Sequence, residues 1–123
     1  MTRYLFAGLL VAHGIAHLVG FVMPWGLMPS RDVDYRTTVL NGSVDLGETG
    51  ARVFGVLWLA LAIAFIGVGS AVFAGSSDGV WVARLAGLSL VFCVLAWPDA
   101  RIGAVVNVAI IGALFMFRQL SAA

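Results

Sequence analysis

From Tyr4 to Met23 the chain runs for twenty residues without a charged side chain. The pattern returns three times. Residues 53–74 are uncharged, 80–97 carry only Arg84 near their start, and 102–117 are uncharged and shorter. About 20 apolar residues in a helix match the roughly 30 Å hydrocarbon core of a bilayer. A helix also satisfies its own backbone there. The pattern therefore predicts four helices, at about 4–23, 52–74, 80–97 and 102–118. GSSDG at 75–79 and Pro98–Arg101 read as tight turns, which leaves 24–51 as the one sizeable polar loop.

Within that loop, YRTTVLNGSVDLG predicts a β-hairpin, because Asn41-Gly42 is the preferred pair for a two-residue type I′ turn. Folding about it pairs Leu40 with Ser43, Val39 with Val44, Thr38 with Asp45 and Thr37 with Leu46. One face then carries Tyr35, Thr37, Val39, Val44 and Leu46. A lone hairpin is marginal in water, so this face is expected to lie on lipid headgroups or, as a lid, over the mouth of the helix bundle. Thr49 is the expected N-cap of the second helix.

Composition agrees with the pattern. Of 123 residues, 62% are hydrophobic and 11% charged, whereas soluble domains are about a quarter charged. The expected fold class is an all-α membrane protein: a four-transmembrane-helix bundle with one β-hairpin between helices 1 and 2, in a single domain, 1–123. Such a chain has no room for a soluble catalytic domain. A net charge of +1 gives no reason to expect a nucleic-acid partner, and the lone Cys93 excludes an internal disulfide. The first segment lacks a small-residue cleavage site after it and is read as a retained span.

Four spans put both termini and the 75–79 turn on one side, with Arg3, Arg84 and Arg118. The other side holds Arg31, Arg36, Arg52 and Arg101, among Asp32, Asp34, Asp45, Glu48 and Asp99. Three arginines against four leave the orientation open; those flanking spans directly, Arg3 and Arg118, favour cytoplasmic termini.

Depth sharpens the picture. At 1.5 Å per residue, six residues correspond to about 9 Å. His17 lies six residues from Met23, Asn107 six from Arg101 and Trp58 six from Arg52, while Cys93 lies four before Trp97. His13 is one turn deeper. All four helices thus offer a polar or amphipathic side chain in one half of the bundle, rimmed by Asp99, Arg101, Glu48 and Arg52. A polar pocket opening to the loop side is expected, with ligand-binding candidates His13, His17, Trp58, Asn107, Asp99 and Arg101.

The faces of the first helix point the same way. Leu9, His13, His17 and Phe21 share a stripe. Beside it, Gly8, Ala12, Ala16 and Gly20 form a small-xxx-small ridge expected to be the tightest packing surface. His17 is expected to face Asn107, and His13 to find Ser89 or a backbone carbonyl.

The histidine pair admits four readings. It could link helices by hydrogen bonds alone. It could bind metal, since two His at i, i+4 match the helical HExxH geometry. The chain reads HGIAH, without the glutamate, so a third ligand would have to be Cys93, Asp99 or Glu48. Haem is disfavoured, because two side chains on one stripe cannot ligate opposite faces of a macrocycle. Last, the pair could hold a polar head group or relay a proton. The Trp97-Pro98-Asp99-Ala100-Arg101 turn reads as an interfacial anchor or as the pocket rim. Cys93 reads as a buried small residue, and Arg84 as a snorkelling one.

HGIAHLVGF, GVLWLALAIAF and WPDARIGAVVNVAIIGAL together resemble a group of uncharacterised bacterial four-span membrane proteins. Their pattern runs HGxxHLxGF, GxLWLxxA, then a tryptophan and DAxxGxxxN. The resemblance spans nearly the whole chain outside 24–47 and implies a bacterial cytoplasmic membrane location and four spans. It implies no activity and no cofactor. It falls on His13, His17, Trp58, Asp99, Arg101 and Asn107.

The expected function is non-enzymatic: binding or passing a small molecule or lipid, alone or within a larger assembly. Expected partners are membrane lipids and a second membrane subunit or copy. The alternatives are a purely structural accessory subunit and a metal- or haem-dependent redox protein.

Overall fold

The structure is a computed structural model that describes residues 2–28, 35–76 and 79–122, with side chains described through Met116. Arg31, Asp32, Asp34, the Ser77-Asp78 part of the second turn and the Arg118 side chain lie outside the described residues. Four helices and a two-stranded hairpin follow in the order α1 (Thr2–Val22), β1 (Thr38–Val39), β2 (Val44–Asp45), α2 (Gly47–Ala74), α3 (Gly79–Leu95) and α4 (Arg101–Ala122). Among the described residues, only α1 and α2 are both long and apolar enough to cross a membrane. α3, at 17 residues, and α4 as described through Met116 are shorter apolar helices.

α1 packs chiefly on α2, and α3 on α4. Buried positions on α1 are Ala7, Leu10, His13, Gly14 and His17. On α2 they are Ala51, Gly55, Trp58, Leu61, Ala62, Phe65 and Gly69. Both sets recur every three to four residues, as one helix face requires. Glycines set the spacing. A Cβ on Gly14 would lie 2.9 Å from the Ala62 carbonyl oxygen, and one on Gly69 2.7 Å from Val11.

This corrects the expected ridge. Gly8 has no atom within 4 Å of where a Cβ would stand, and Ala12 and Ala16 are exposed. Of the four, only Gly20 meets a close neighbour, the Trp58 ring. The tight seam uses Ala7 and Gly14 instead, because that line faces Gly69 and Ala62 of α2.

Two apolar clusters fill the interior. Leu10, Phe65, Val82, Ala86 and Ile110 form one; Trp58, Leu61, Cys93 and Ala104 form the other, nearer the hairpin.

The hairpin keeps the expected register, with Thr38 opposite Asp45 and Val39 opposite Val44. The Leu46 N–H donates to the Thr37 carbonyl at 2.9 Å. Asn41 and Gly42 both have positive φ, 55° and 85°, as a type I′ turn demands. Leu40 is left-handed as well. Its N–H and that of Asn41 donate out of the hairpin, to the carbonyls of Leu95 (2.7 Å) and Trp97 (3.1 Å). These carbonyls lie at and just beyond the C-terminal end of α3, where a helix has no N–H of its own to offer its final carbonyls. The hairpin tip is therefore fastened over the α3–α4 turn.

α2 starts at Gly47, five residues before the expected start, and Thr49 is inside its first turn rather than capping it. Leu46 holds the cap position with no side-chain bond. The Gly47 N–H is met by the Asp45 carboxylate, at 2.9 Å. That carboxylate also accepts the Thr37 hydroxyl at 2.6 Å, so the expected two-face alternation fails at the base of the hairpin.

Candidate functional site

Four polar side chains from three helices meet between the apolar clusters. His13, His17, Ser89 and Asn107 are all buried. Ser89 lies six residues before the last residue of α3, and Asn107 six after the first of α4. The two are level, and the Asn107 Nδ2 donates to the Ser89 Oγ at 2.8 Å. His13 Nε2 lies 3.1 Å from the Asn107 Oδ1, and His17 Nε2 lies 2.7 Å from the Ser89 Oγ.

The expected pairing is thus crossed: His13, not His17, reaches Asn107. Four residues advance a helix by about 400°, leaving His17 some 40° round from His13. That rotation carries one ring to α4 and the other to α3, which a count of depth along each helix does not register.

Aromatic rings hold the imidazoles in place. The two histidines meet edge-on with centroids 4.4 Å apart. Phe65 stands edge-on to both, at 4.8 and 5.3 Å, and Trp58 edge-on to His17 at 5.0 Å. Phe65 was not among the expected site residues. Its spacing of seven from Trp58 on α2 marked it as sharing that face, but nothing in an apolar run set it apart from its neighbours.

The two histidines of the cluster stand at the floor of a cleft of about 440 Å³ between α1 and α4, which Ser89 and Asn107 do not line. Its walls are Leu9, Ala12, Ala16 and Val19 from α1 and Ile102, Gly103 and Val106 from α4; His13, His17, Trp58 and Cys93 lie at the floor and Asp99 at the lip. Arg101 is exposed and does not line it. It is the first residue of α4. A second, smaller cavity of about 150 Å³ lies under the hairpin and adjoins the cleft at Val19, Gly20, Ala96 and Asp99.

Of the expected lid residues, Tyr35 and Val39 line this upper cavity. Leu46 is half-buried without lining it, and Val44 points outward at 43% exposure. Docking of the hairpin through its tip, rather than through its apolar face, leaves Val44 outside.

Each histidine uses Nε2 for the relay. Neither Nδ1 has a hydrogen-bond partner among the described residues, and no described buried side-chain N or O atom sealed from open space lacks a partner. The Nδ1 edges therefore reach open space, and the cleft is the cavity both rings line. The same argument holds for Trp58, whose indole N–H has no partner among the described residues while the residue is 6% exposed. Among the described residues no three of His, Cys, Asp and Glu come together as a metal would require. The Cys93 thiol sits within 3.6 Å of the Asn107 amide.

Comparison with known protein families, with curated proteins and with solved structures gives no match.

Proposed function

We propose that this chain is an integral membrane protein that binds, or passes along, a lipid or lipophilic small molecule in the cleft between α1 and α4. The observation that carries this reading is the cleft itself: apolar walls above a floor of buried polar groups that still have free hydrogen-bonding edges. A ligand site is typically such a mostly apolar cavity with a few convergent polar groups.

Membrane location has its own support. α1 and α2 are long and apolar enough to span. The molecule also has an inverted surface. Its outer faces carry Leu5, Ile15, Val53, Ile63, Trp81, Leu88, Val105 and Phe115, while His13, His17, Ser89 and Asn107 are inside. Soluble monomers rarely expose continuous apolar surface on this scale, and buried polar groups that hydrogen-bond across helices are a feature of membrane bundles. The resemblance to four-span proteins agrees.

Extraction of the native protein from membranes followed by mass spectrometry of whatever co-purifies tests the reading. We expect a bound lipophile that is lost in His17→Leu while the helices remain folded. Equal retention in the variant would leave the histidines a structural role only. Reporter fusions should place both termini on one side.

A second reading has one observation in its favour. Gly8, Ala12 and Ala16 form an exposed small-residue stripe, suited to close approach by a helix of another subunit. Cross-linking from position 12 in native membranes separates the two, giving lipid adducts in the first case and a protein adduct in the second.

A further inference from the structure

The polar floor carries a donor–acceptor pattern that selects among ligands, an inference resting on the cleft reading above. Asn107 offers one acceptor, Oδ1, and one amide that donates. With Oδ1 facing His13, the His13 Nε2 must carry the proton, and its Nδ1 is bare. The Asn107 amide then donates to Ser89. The 2.7 Å contact of Ser89 with His17 has the length of a bond given by a hydroxyl rather than the 2.9–3.0 Å usual for N–H. So Ser89 donates, His17 accepts at Nε2, and the His17 Nδ1 carries a proton. Turning the Asn107 amide over reverses every bond and exchanges the two histidines. In both directions the cleft meets one bare Nδ1 and one protonated Nδ1.

We infer that the cleft takes an uncharged lipid alcohol on a single apolar chain, its hydroxyl donating to one histidine Nδ1 and accepting from the other. The imidazoles, 4.4 Å apart, are close enough for one oxygen to serve both. A hydroxyl oxygen has a second lone pair, and the Trp58 N–H is a donor placed in the same cleft. Ketones, esters and ethers only accept, and leave the bare Nδ1 unmet. No cation lines the floor and Asp99 stands at the lip, which disfavours phosphates and carboxylates. A volume near 440 Å³ lies toward the lower end for ligand sites and suits one chain.

The test uses the purified full chain in lipid nanodiscs with a photoreactive diazirine analogue of hexadecanol. Adducts are mapped by mass spectrometry and challenged with hexadecanol, its methyl ether, hexadecane and hexadecyl phosphate. We expect adducts on the α1 and α4 peptides that line the cleft. Hexadecanol should displace them at about tenfold lower concentration than the methyl ether, since an unmet buried hydrogen-bonding group weakens binding by about that factor or more. Ser89→Ala, which removes the hydroxyl that orients His17 and leaves the helix packing in place, should narrow that ratio to within about twofold while labelling persists. Equal competition by alcohol and ether, or stronger competition by the phosphate, overturns the inference and leaves the lipid cleft standing. Adducts spread over the outer faces of α2 and α3, displaced by no competitor, overturn both.

Discussion

The two sides of α1 carry similar residues and have opposite fates. Toward α2 stands Gly14, toward the cleft stand Ala12 and Ala16, and both sides are small enough to allow close helix contact. One side is sealed and the other is open. The difference lies in what faces them. α2 presents its own Gly55, Gly69 and Ala62, so backbone meets backbone; a Cβ on Gly55 would lie 3.2 Å from the Gly20 carbonyl oxygen. α4 presents Ile102 and Val106, with Gly103 between them turned to Cys93 and His13. A small-residue stripe permits approach. A matching stripe opposite is what produces it.

Exchanging the two sides by mutation breaks the comparison most severely. Gly14→Val drives a methyl-bearing side chain into the Ala62 carbonyl and the Phe65 Cβ, each 2.9 Å from its Cβ. Backbone cannot yield there, and overpacking of this kind costs about 1–3 kcal/mol or more. Ala12→Val, nearly the same change in bulk on the exposed side, should stay within about ±0.5 kcal/mol. Thermal melts of the two variants in one detergent check the pair, and equal losses would show that the seam is no tighter than the cleft.

Next in size is the relay beneath the open side. Asn107→Leu leaves the His13 Nε2 unpartnered and takes one of its two partners from the Ser89 hydroxyl, and should cost roughly 1–3 kcal/mol. Ser89→Ala leaves the His17 Nε2 without its partner and the Asn107 amide with only the Cys93 thiol, and should cost a comparable amount, roughly 1–3 kcal/mol. Because Asn107 and Ser89 share a bond, the double variant should lose less than the sum. Strict additivity in denaturation measurements would mean that the four groups do not act as one chain.

Smaller in stability but decisive for the cleft is Ala16→Phe. The ring has room in the cleft, so the melt should change by no more than about 0.5 kcal/mol. Labelling of cleft residues by an alkyl photoprobe should nevertheless disappear. Undiminished labelling would place the lipid elsewhere.

The slightest effect concerns the hairpin above. The Thr37 hydroxyl, and after it the Gly47 N–H, hold the Asp45 carboxyl below the usual carboxylate range. A carboxylate lowered on folding adds stability that is present above its unfolded pKa, near 3.9, and is lost as pH falls through the folded value. The hairpin base should therefore hold at neutral pH and loosen only in acid. Thr37→Val should move the Asp45 titration upward, read by NMR at the Gly47 amide; an unmoved titration would remove Thr37 from that role.

Much of this was legible in one dimension. Long apolar runs with at most one charge mark four helices, because a backbone in an apolar setting must bond to itself. Asn41-Gly42 marks the turn and its register, because few residue pairs accept positive φ twice in succession. The polar residues inside an apolar run, His13, His17 and Asn107, mark the buried hydrogen-bonded cluster, because such groups are costly unless partnered.

What remained was relational. Which face of α1 closes depends on α2, and the ridge of Gly8, Ala12, Ala16 and Gly20 carries no information about its neighbour. Which histidine meets Asn107 depends on a rotation of about 40° about the helix axis, a quantity absent from residue counts along it. Phe65 comes to stand against both histidine rings only because Gly14 lets α2 come near. The start of α2 at Gly47 follows from Asp45 being brought to its first N–H by the hairpin. Periodicity and the cost of unpaired polar groups are properties of a chain; the pairing of faces is a property of two chain segments at once, and only the fold decides it.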